Sequence, residues 1–344
     1  MPIKLKNAEL CYLLVFPHAA QKTNEPPEQI SGLKDAPYFQ PIDISVRTLS
    51  SGENFEAAGV RGIALRQGYD ERVQVVECHY ILDDPLGLRA RDAVEKVLQE
   101  KFVPAEYRAS GMFEEYAVLL LRGANPSPDG FVDKNAPALA RFIRAQRETF
   151  DERDIQDILS SRIRYSNAEM TLVDWQAAVI FAPEGDFQSD IELLKIGNYQ
   201  LLRYRMLDEN VEASLRAISE QFRTRPSHAV RSGLSRGQIR SIVQHRLELM
   251  LDFEHTEQNL LLIGDWYTAQ LYHAIQEEFY LKEWKEAVRT KLDNLEDLIQ
   301  TIKENFSLSW QSLMETVQIT GWLILLVGYF ILFFLESSGS LRAH

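Results

Sequence analysis

Cysteine is nearly missing from this chain. Cys11 and Cys78 are too few for a disulfide framework and lack the spacing of a zinc-ligand set, which points to a reducing compartment. Recognisable catalytic motifs are missing too. There is no phosphate-binding glycine loop, no G-x-S-x-G elbow, no H-E-x-x-H and no paired C-x-x-C, so no catalytic residue, cofactor or metal is expected. No internal repeat or low-complexity tract stands out. Basic residues are outnumbered, with 37 Lys and Arg against 50 Asp and Glu; the net charge of −13 argues against general nucleic-acid binding, which needs a basic surface to neutralise phosphates. The opening "MPIKLKNAELCYLLVFPHAAQ" lacks the long apolar core and small-residue cleavage pattern of a signal peptide. Its short apolar stretch from Cys11 to Pro17 reads as a buried strand, and the bulk of the chain is expected to stay on the side where it is made.

What is present begins with strands. A length of 344 residues allows about two domains. The stretches "CYLLVF", "IDISVRTL", "GVRGIALR", "VQVVECHYIL" and "EYAVLLLRG" are rich in Val, Ile, Leu and aromatic residues, and several alternate. Between them, residues 88–102 place Val94, Val97, Leu98 and Phe102 on one helix face. Residues 170–183 read as a further strand, followed by a long helix with Asp186 or Ser189 as candidate N-cap. From 236 onward helices are expected at 236–254, 256–278 and 281–306. The fold class is therefore α+β. A mixed head at 1–165 is completed by a strand and long helix at 166–220, then an arginine-rich connection at 221–247, a helical stalk at 248–308, one membrane helix at 316–335 and a short tail at 336–344.

The membrane helix rests on the run from Thr316 to Leu335, 20 residues without a charge between Glu315 and Glu336. At 1.5 Å per residue that length matches a bilayer's hydrocarbon core of about 30 Å. Trp310 and Trp322 stand where interface anchors would, while Gly321 and Gly328 lie seven apart and leave helix pairing in the bilayer open. Lys303 and Arg342 are too few to set orientation by charge bias. A core helix of a soluble protein is the competing reading, disfavoured by the lack of any polar stripe.

Polar residues cluster elsewhere. Arg223, Arg225, Arg231, Arg236, Arg240 and Arg246 fall within 27 residues that contain no acid, whereas residues 248–304 hold 13 acids and 5 bases. Arginine forks suit phosphate, on anionic lipid or an RNA-containing partner, and the alternative is pairing with the chain's own acidic helices. Glu248, Asp252 and His255 share a helix face at i, i+4 and i+7, a pattern commoner on a solvated face than around a metal. His79 and Cys78 are neighbours in a strand, point to opposite faces and read as structural. In the stalk, Leu281, Val288, Leu295 and Ile302 recur every seven residues; with Leu292 and Ile299 they form a broad apolar stripe that must be buried, either on the chain's own helices at 236–278 or on another subunit, and it is read as the interface of a homo-oligomer.

Residues 174–344 resemble the required-for-meiotic-nuclear-division family, also called YagE-like. The resemblance is carried by Asp265, Trp266, Leu271 and Tyr272, by Lys291, Leu292, Leu295 and Glu296, and by Met314 and Glu315 just ahead of a terminal apolar span. It implies a membrane-anchored, self-associating protein without known catalytic residues, whose mitochondrial members support organellar translation. No Arg- and Ser-rich, acid-poor transit peptide is read here, so a bacterial-type inner membrane is favoured over a mitochondrial one. The expected protein is a tail-anchored scaffold or regulator, single-pass, with its head in the cytoplasm. A membrane-bound hydrolase or nucleotide-binding protein with an unrecognised head is the alternative, and a cleft lined by converging titratable groups would favour it.

Overall fold

A computed structural model describes residues 8–18, 44–123, 127–223, 236–257 and 266–340. Chain contacts divide the protein into two units, 1–209 with 252–288 and 210–251 with 289–344.

The first unit is built on β1 (Ala8–Pro17), β2 (Val46–Ala57), β3 (Val60–Tyr69), β4 (Val73–Tyr80), β5 (Glu114–Leu121), β6 (Arg162–Arg164), β7 (Met170–Val173) and β8 (Ala177–Phe181). They form one sheet in the order β2-β3-β4-β1-β5-β8-β7-β6. The pairs are antiparallel except β5 with β8, which run parallel. A parallel pair needs a long crossover. It is supplied by α3 (Pro128–Ile143) and α4 (Glu152–Ile158), with β6 and β7 following before β8. The strands on either side of β1 explain its composition: Leu10 to Phe16 are all buried, as a strand flanked by neighbours and covered on both faces must be.

One face of the sheet presents Leu10, Tyr12, Leu14 and Phe16 of β1 with Cys78 and Tyr80 of β4. There they join a core with Val94, Leu98 and Phe102 of α1 (Leu88–Phe102) and with Phe131, Leu139 and Phe142 of α3. The helix expected at 88–102 is present with those bounds. The opposite face meets α5 (Gln188–Arg223) and α7 (Trp266–Glu278). Tyr69 stacks on Tyr199 of α5 at 5.6 Å. Thr171 of β7 donates to Asp190 of α5 at 2.5 Å, and Tyr267 of α7 donates to the same carboxylate at 2.7 Å. Gly197 lets α5 and α7 approach, since a Cβ there would stand 2.4 Å from Ile275 Cγ2. Two of these three layers are helical, and alternation along each strand decides which layer a residue joins.

Several elements differ from the sequence reading. Residues 170–183 are two strands, because the chain turns at Asp174, whose N–H donates to Ala177 O. The sheet continues past residue 165 through β6, β7 and β8. Helix α5 starts at Gln188, after Phe187, so neither Asp186 nor Ser189 is the residue immediately before it. Of the helix expected at 256–278, residues 258–265 lie outside the described residues and α7 occupies the rest from Trp266 to Glu278. α8 (Leu281–Ser340) is one helix of 60 residues, containing both the expected stalk helix and the apolar span.

Among its described residues the second unit is helical, formed from α5 beyond Glu209, α6 (Arg236–Glu257) up to Leu251 and α8 beyond Val288. Val211 and Ile218 of α5, Leu249 of α6 and Leu292, Leu295 and Ile299 of α8 are buried. Lys291 pairs with Glu212 at 3.2 Å, Arg246 pairs with Glu296, and His245 lies 3.0 Å from Ser214. The stripe read as a subunit interface is thus covered by its own chain: Leu281, Val288, Leu292, Leu295 and Ile299 are all buried in a single copy. Nothing is described of the Ile302 side chain.

Candidate functional site

The first unit carries a chain of charged side chains on the α5 face of the sheet. Period-two alternation puts Glu9 and Cys11 of β1 on that face, and Glu77 and His79 of β4 beside them, with Cys11 directly opposite His79. From α5, Gln188, Glu192 and Lys195 descend toward the sheet at i, i+4 and i+7, the spacing of one helix face. Lys195 is fully buried. Its ammonium lies 2.9 Å from Glu77 Oε2, 2.5 Å from Glu192 Oε1 and 2.9 Å from Gln67 Oε1. The other oxygen of Glu77 is 2.7 Å from His79 Nε2, and His79 Nδ1 is 2.7 Å from Glu9 Oε1. Arg122, just past β5, closes the row on Glu9 at 3.1 Å. Signs alternate along it, through Arg122, Glu9, His79, Glu77, Lys195 and Glu192.

These neighbours set the protonation states. Burial works against the charged forms throughout. For Glu77 burial raises the carboxyl, but the His79 hydrogen bond and the Lys195 charge outweigh it and hold the group at about 2. Burial likewise disfavours the His79 imidazolium, yet the carboxylates of Glu77 and Glu9, one on each ring nitrogen, push it up. Burial raises the Cys11 thiol, so it stays protonated at neutral pH. The Lys195 ammonium is favoured over its neutral form despite burial, by Tyr69, Glu77 and Glu192.

A second polar region faces the other way. A cavity of about 450 Å³ opens near the N-terminal end of β5, lined by Tyr12, Arg91, Glu95, Gln99, Glu115 and Trp175 among others. Tyr12 donates its hydroxyl hydrogen to Glu115, while Gln99 Nε2 donates to Tyr12 Oη at 2.8 Å and to Glu115. Arg91 holds Glu95 at 2.7 Å, donates to Phe142 O at 2.7 Å and lies over the Phe142 ring. Burial raises the Glu95 carboxyl. Glu114, on the cavity wall, is pushed up to about 7 by burial although Arg205 opposes it. Converging carboxylates with shifted protonation are the arrangement named above as favouring a chemical or ligand-binding role.

The arginines named from sequence are not brought together. Arg225 and Arg231 lie outside the described residues, and Arg223 and Arg236 fall in helices without described side chains. Arg240 is exposed on α6, whereas Arg246 is engaged by Glu296. Of the weak metal pattern, Asp252 is occupied by Arg72 and Arg203, Glu248 is exposed and 3.6 Å from His245, and the His255 side chain is outside the description. Cys78 and His79 do point to opposite faces. What sequence reading missed is the partner of His79: Glu77 and His79 two apart in one strand, and Glu9 and Cys11 two apart in another, are the polar interruptions that mark a shared face.

At the end of α8, Met314–Leu332 is long and apolar enough to cross a membrane, with none of it buried.

Residues 67–188 match the family model described as "Uncharacterized protein MJ0711, N-terminal domain", a span that runs from the end of β3 to the start of α5. The uncharacterized protein MJ0711 of Methanocaldococcus jannaschii is 23% identical over 250 residues, which covers 71% of this chain and 76% of the relative. No solved structure matches. The chain is thus similar to proteins that are themselves uncharacterised, over a region that includes Glu77, His79 and most of the cavity wall.

Proposed function

We propose that the chain is a single-pass, membrane-anchored regulator or scaffold whose mixed head works at the cytoplasmic face of an inner membrane. The observation that carries this is the all-round exposure of the apolar end of α8. From Val317 to Leu332, twelve large apolar side chains are exposed. Left in water they would forgo on the order of 20 kcal/mol of burial, more than the whole stability of an ordinary domain. A bilayer covers such a surface. The YagE-like resemblance of residues 174–344 supports the same placement, and exposed Arg240 supports contact with anionic headgroups. Self-association through α8 is not carried into this reading, since the single chain fills that seam.

The test is carbonate extraction of the full-length chain from membranes. Wild type should stay in the pellet, whereas L325R combined with L326R, at about 3 kcal/mol per central charge, should release it with the head still folded by circular dichroism. Wild-type protein in the carbonate supernatant would overturn the anchor.

The cavity favours a second reading, a membrane-bound hydrolase or ligand-binding head using Glu95 and Glu115. A hydrolase screen of wild type against E115Q tests it. Turnover lost in E115Q supports this reading, and no turnover in wild type removes the hydrolase.

A further inference from the structure

Cys11, Glu77 and His79 each offer one ligand atom, and the three atoms lie within 4.8 Å of one another. A thiolate, an imidazole and a carboxylate are a donor set suited to zinc; its bonds of about 2.0 to 2.3 Å would require Glu77 Oε1 and His79 Nε2, in hydrogen-bond contact at 2.7 Å, to part slightly as the ion enters between them. The strands that carry them are fixed by pairing, with Cys11 and His79 opposite each other across the β1–β4 ladder. Each ligand also has a support. Glu9 holds His79 Nδ1 at 2.7 Å, as the carboxylate behind a metal-bound histidine does, and Arg122 holds Glu9 at 3.1 Å. Lys195 fixes the far oxygen of Glu77 at 2.9 Å and leaves the near one facing His79 Nε2.

Zinc takes cysteine as the thiolate and histidine through an unprotonated ring nitrogen, so binding is coupled to proton release. We propose that Cys11, Glu77 and His79 form a three-ligand site for a divalent transition metal of the zinc class. Glu9 and His79 are partly exposed, at 25% and 30% of their side chains, so an ion can reach the site from that side. Cys11 itself is wholly buried, which suits a ligand and denies a substrate access to it as a nucleophile.

The full-length chain, purified in mild detergent and stripped with chelator, is titrated with cobalt(II) chloride and then with zinc chloride in weakly buffered solution. Expected are one metal per chain and a thiolate-to-cobalt charge-transfer absorption that zinc abolishes. E9Q should weaken binding roughly 10- to 100-fold by removing the support behind His79, and C11A should abolish the charge-transfer band. If C11A fails to fold, the wild-type band decides alone. Wild type that binds no metal, or binds it without the thiolate band, overturns the site, as does C11A that binds like wild type.

Discussion

Lys195 is the hinge of the buried charge row, and K195M is the perturbation that tests it most directly. Methionine matches the length of the side chain and carries no charge. What it leaves behind decides the cost: Glu77 and Glu192, each within 2.9 Å of the ammonium and both almost fully buried, would lose the cation between them, leaving Glu77 only His79 and Glu192 only the Gln188 amide at 2.8 Å and the Tyr69 hydroxyl. Removing one member of a buried ion pair costs about 3 to 5 kcal/mol, against a typical domain stability of 5 to 15 kcal/mol. The reason is the stranded charge rather than the lost attraction. Replacing all three, as K195M with E77Q and E192Q, removes the stranded charges too and should recover most of the loss. The assay is urea unfolding of metal-free full-length protein in detergent, followed by circular dichroism at pH 7. Wild-type Glu77 adds a pH signature. Its carboxyl is held at about 2 against an ordinary 4.5, so the folded state binds fewer protons than the unfolded one; the resulting stability is present above pH 4.5 and is lost as pH falls through about 2, an amount on the order of 3 kcal/mol. K195M should lose part of this acid limb. A variant that unfolds within 1 kcal/mol of wild type, or a triple replacement no more stable than K195M, would refute the reasoning.

Other consequences can be checked in the same way. E114Q should flatten the stability profile between pH 4.5 and 7: the wild-type carboxyl is raised to about 7, so its contribution is present below 4.5 and lost as pH rises through 7, and urea midpoints across that range would show the limb vanish. G197V should cost about 1 to 3 kcal/mol, or shift α7, because its Cβ would meet Ile275 at 2.4 Å, measured by thermal melting with G197A as the smaller step. L295D should melt the helical second unit without lowering the mass of the detergent-solubilised particle, because Leu295 is buried within one chain; light scattering that shows a smaller particle with an intact helix would contradict this.

The strands and the helix at 88–102 were legible because local pattern dictates them: β-branched runs for buried strands, a 3.6-residue stripe for α1. The order of the sheet was not. Nothing in the residues 114–121 and 177–181 says that they pair in parallel across a helical crossover, because that choice is made by packing between segments far apart in sequence. The hairpin at 174–176 was hidden inside an apolar run whose turn residue, Asp174, carries no glycine or proline signal. For the charge row, half the information was visible: Glu77 and His79 share a face by alternation alone. The other half, Cys11 opposite His79 and Lys195 above Glu77, depends on strand register and on which face of α5 descends, and neither follows from local sequence. The stalk stripe was legible as a surface that must be buried, and Leu281, Val288, Leu292, Leu295 and Ile299 are buried within the single chain.

The position of β1 has a consequence for biosynthesis. This strand is the first of the sheet to leave the ribosome, yet it lies between β4 and β5, whose last residues follow about 60 and 100 positions later. At 5 to 20 residues per second its second neighbour arrives roughly 5 to 20 seconds after it. For that interval "AELCYLLVFP" offers at least one unpaired edge, two until β4 emerges, and an apolar surface, the features that invite intermolecular strand pairing. Nascent chains from which Leu121 has not yet emerged should therefore be strong clients of a ribosome-associated chaperone, and crosslinking at Leu13 should fall sharply once Leu121 has cleared the exit tunnel.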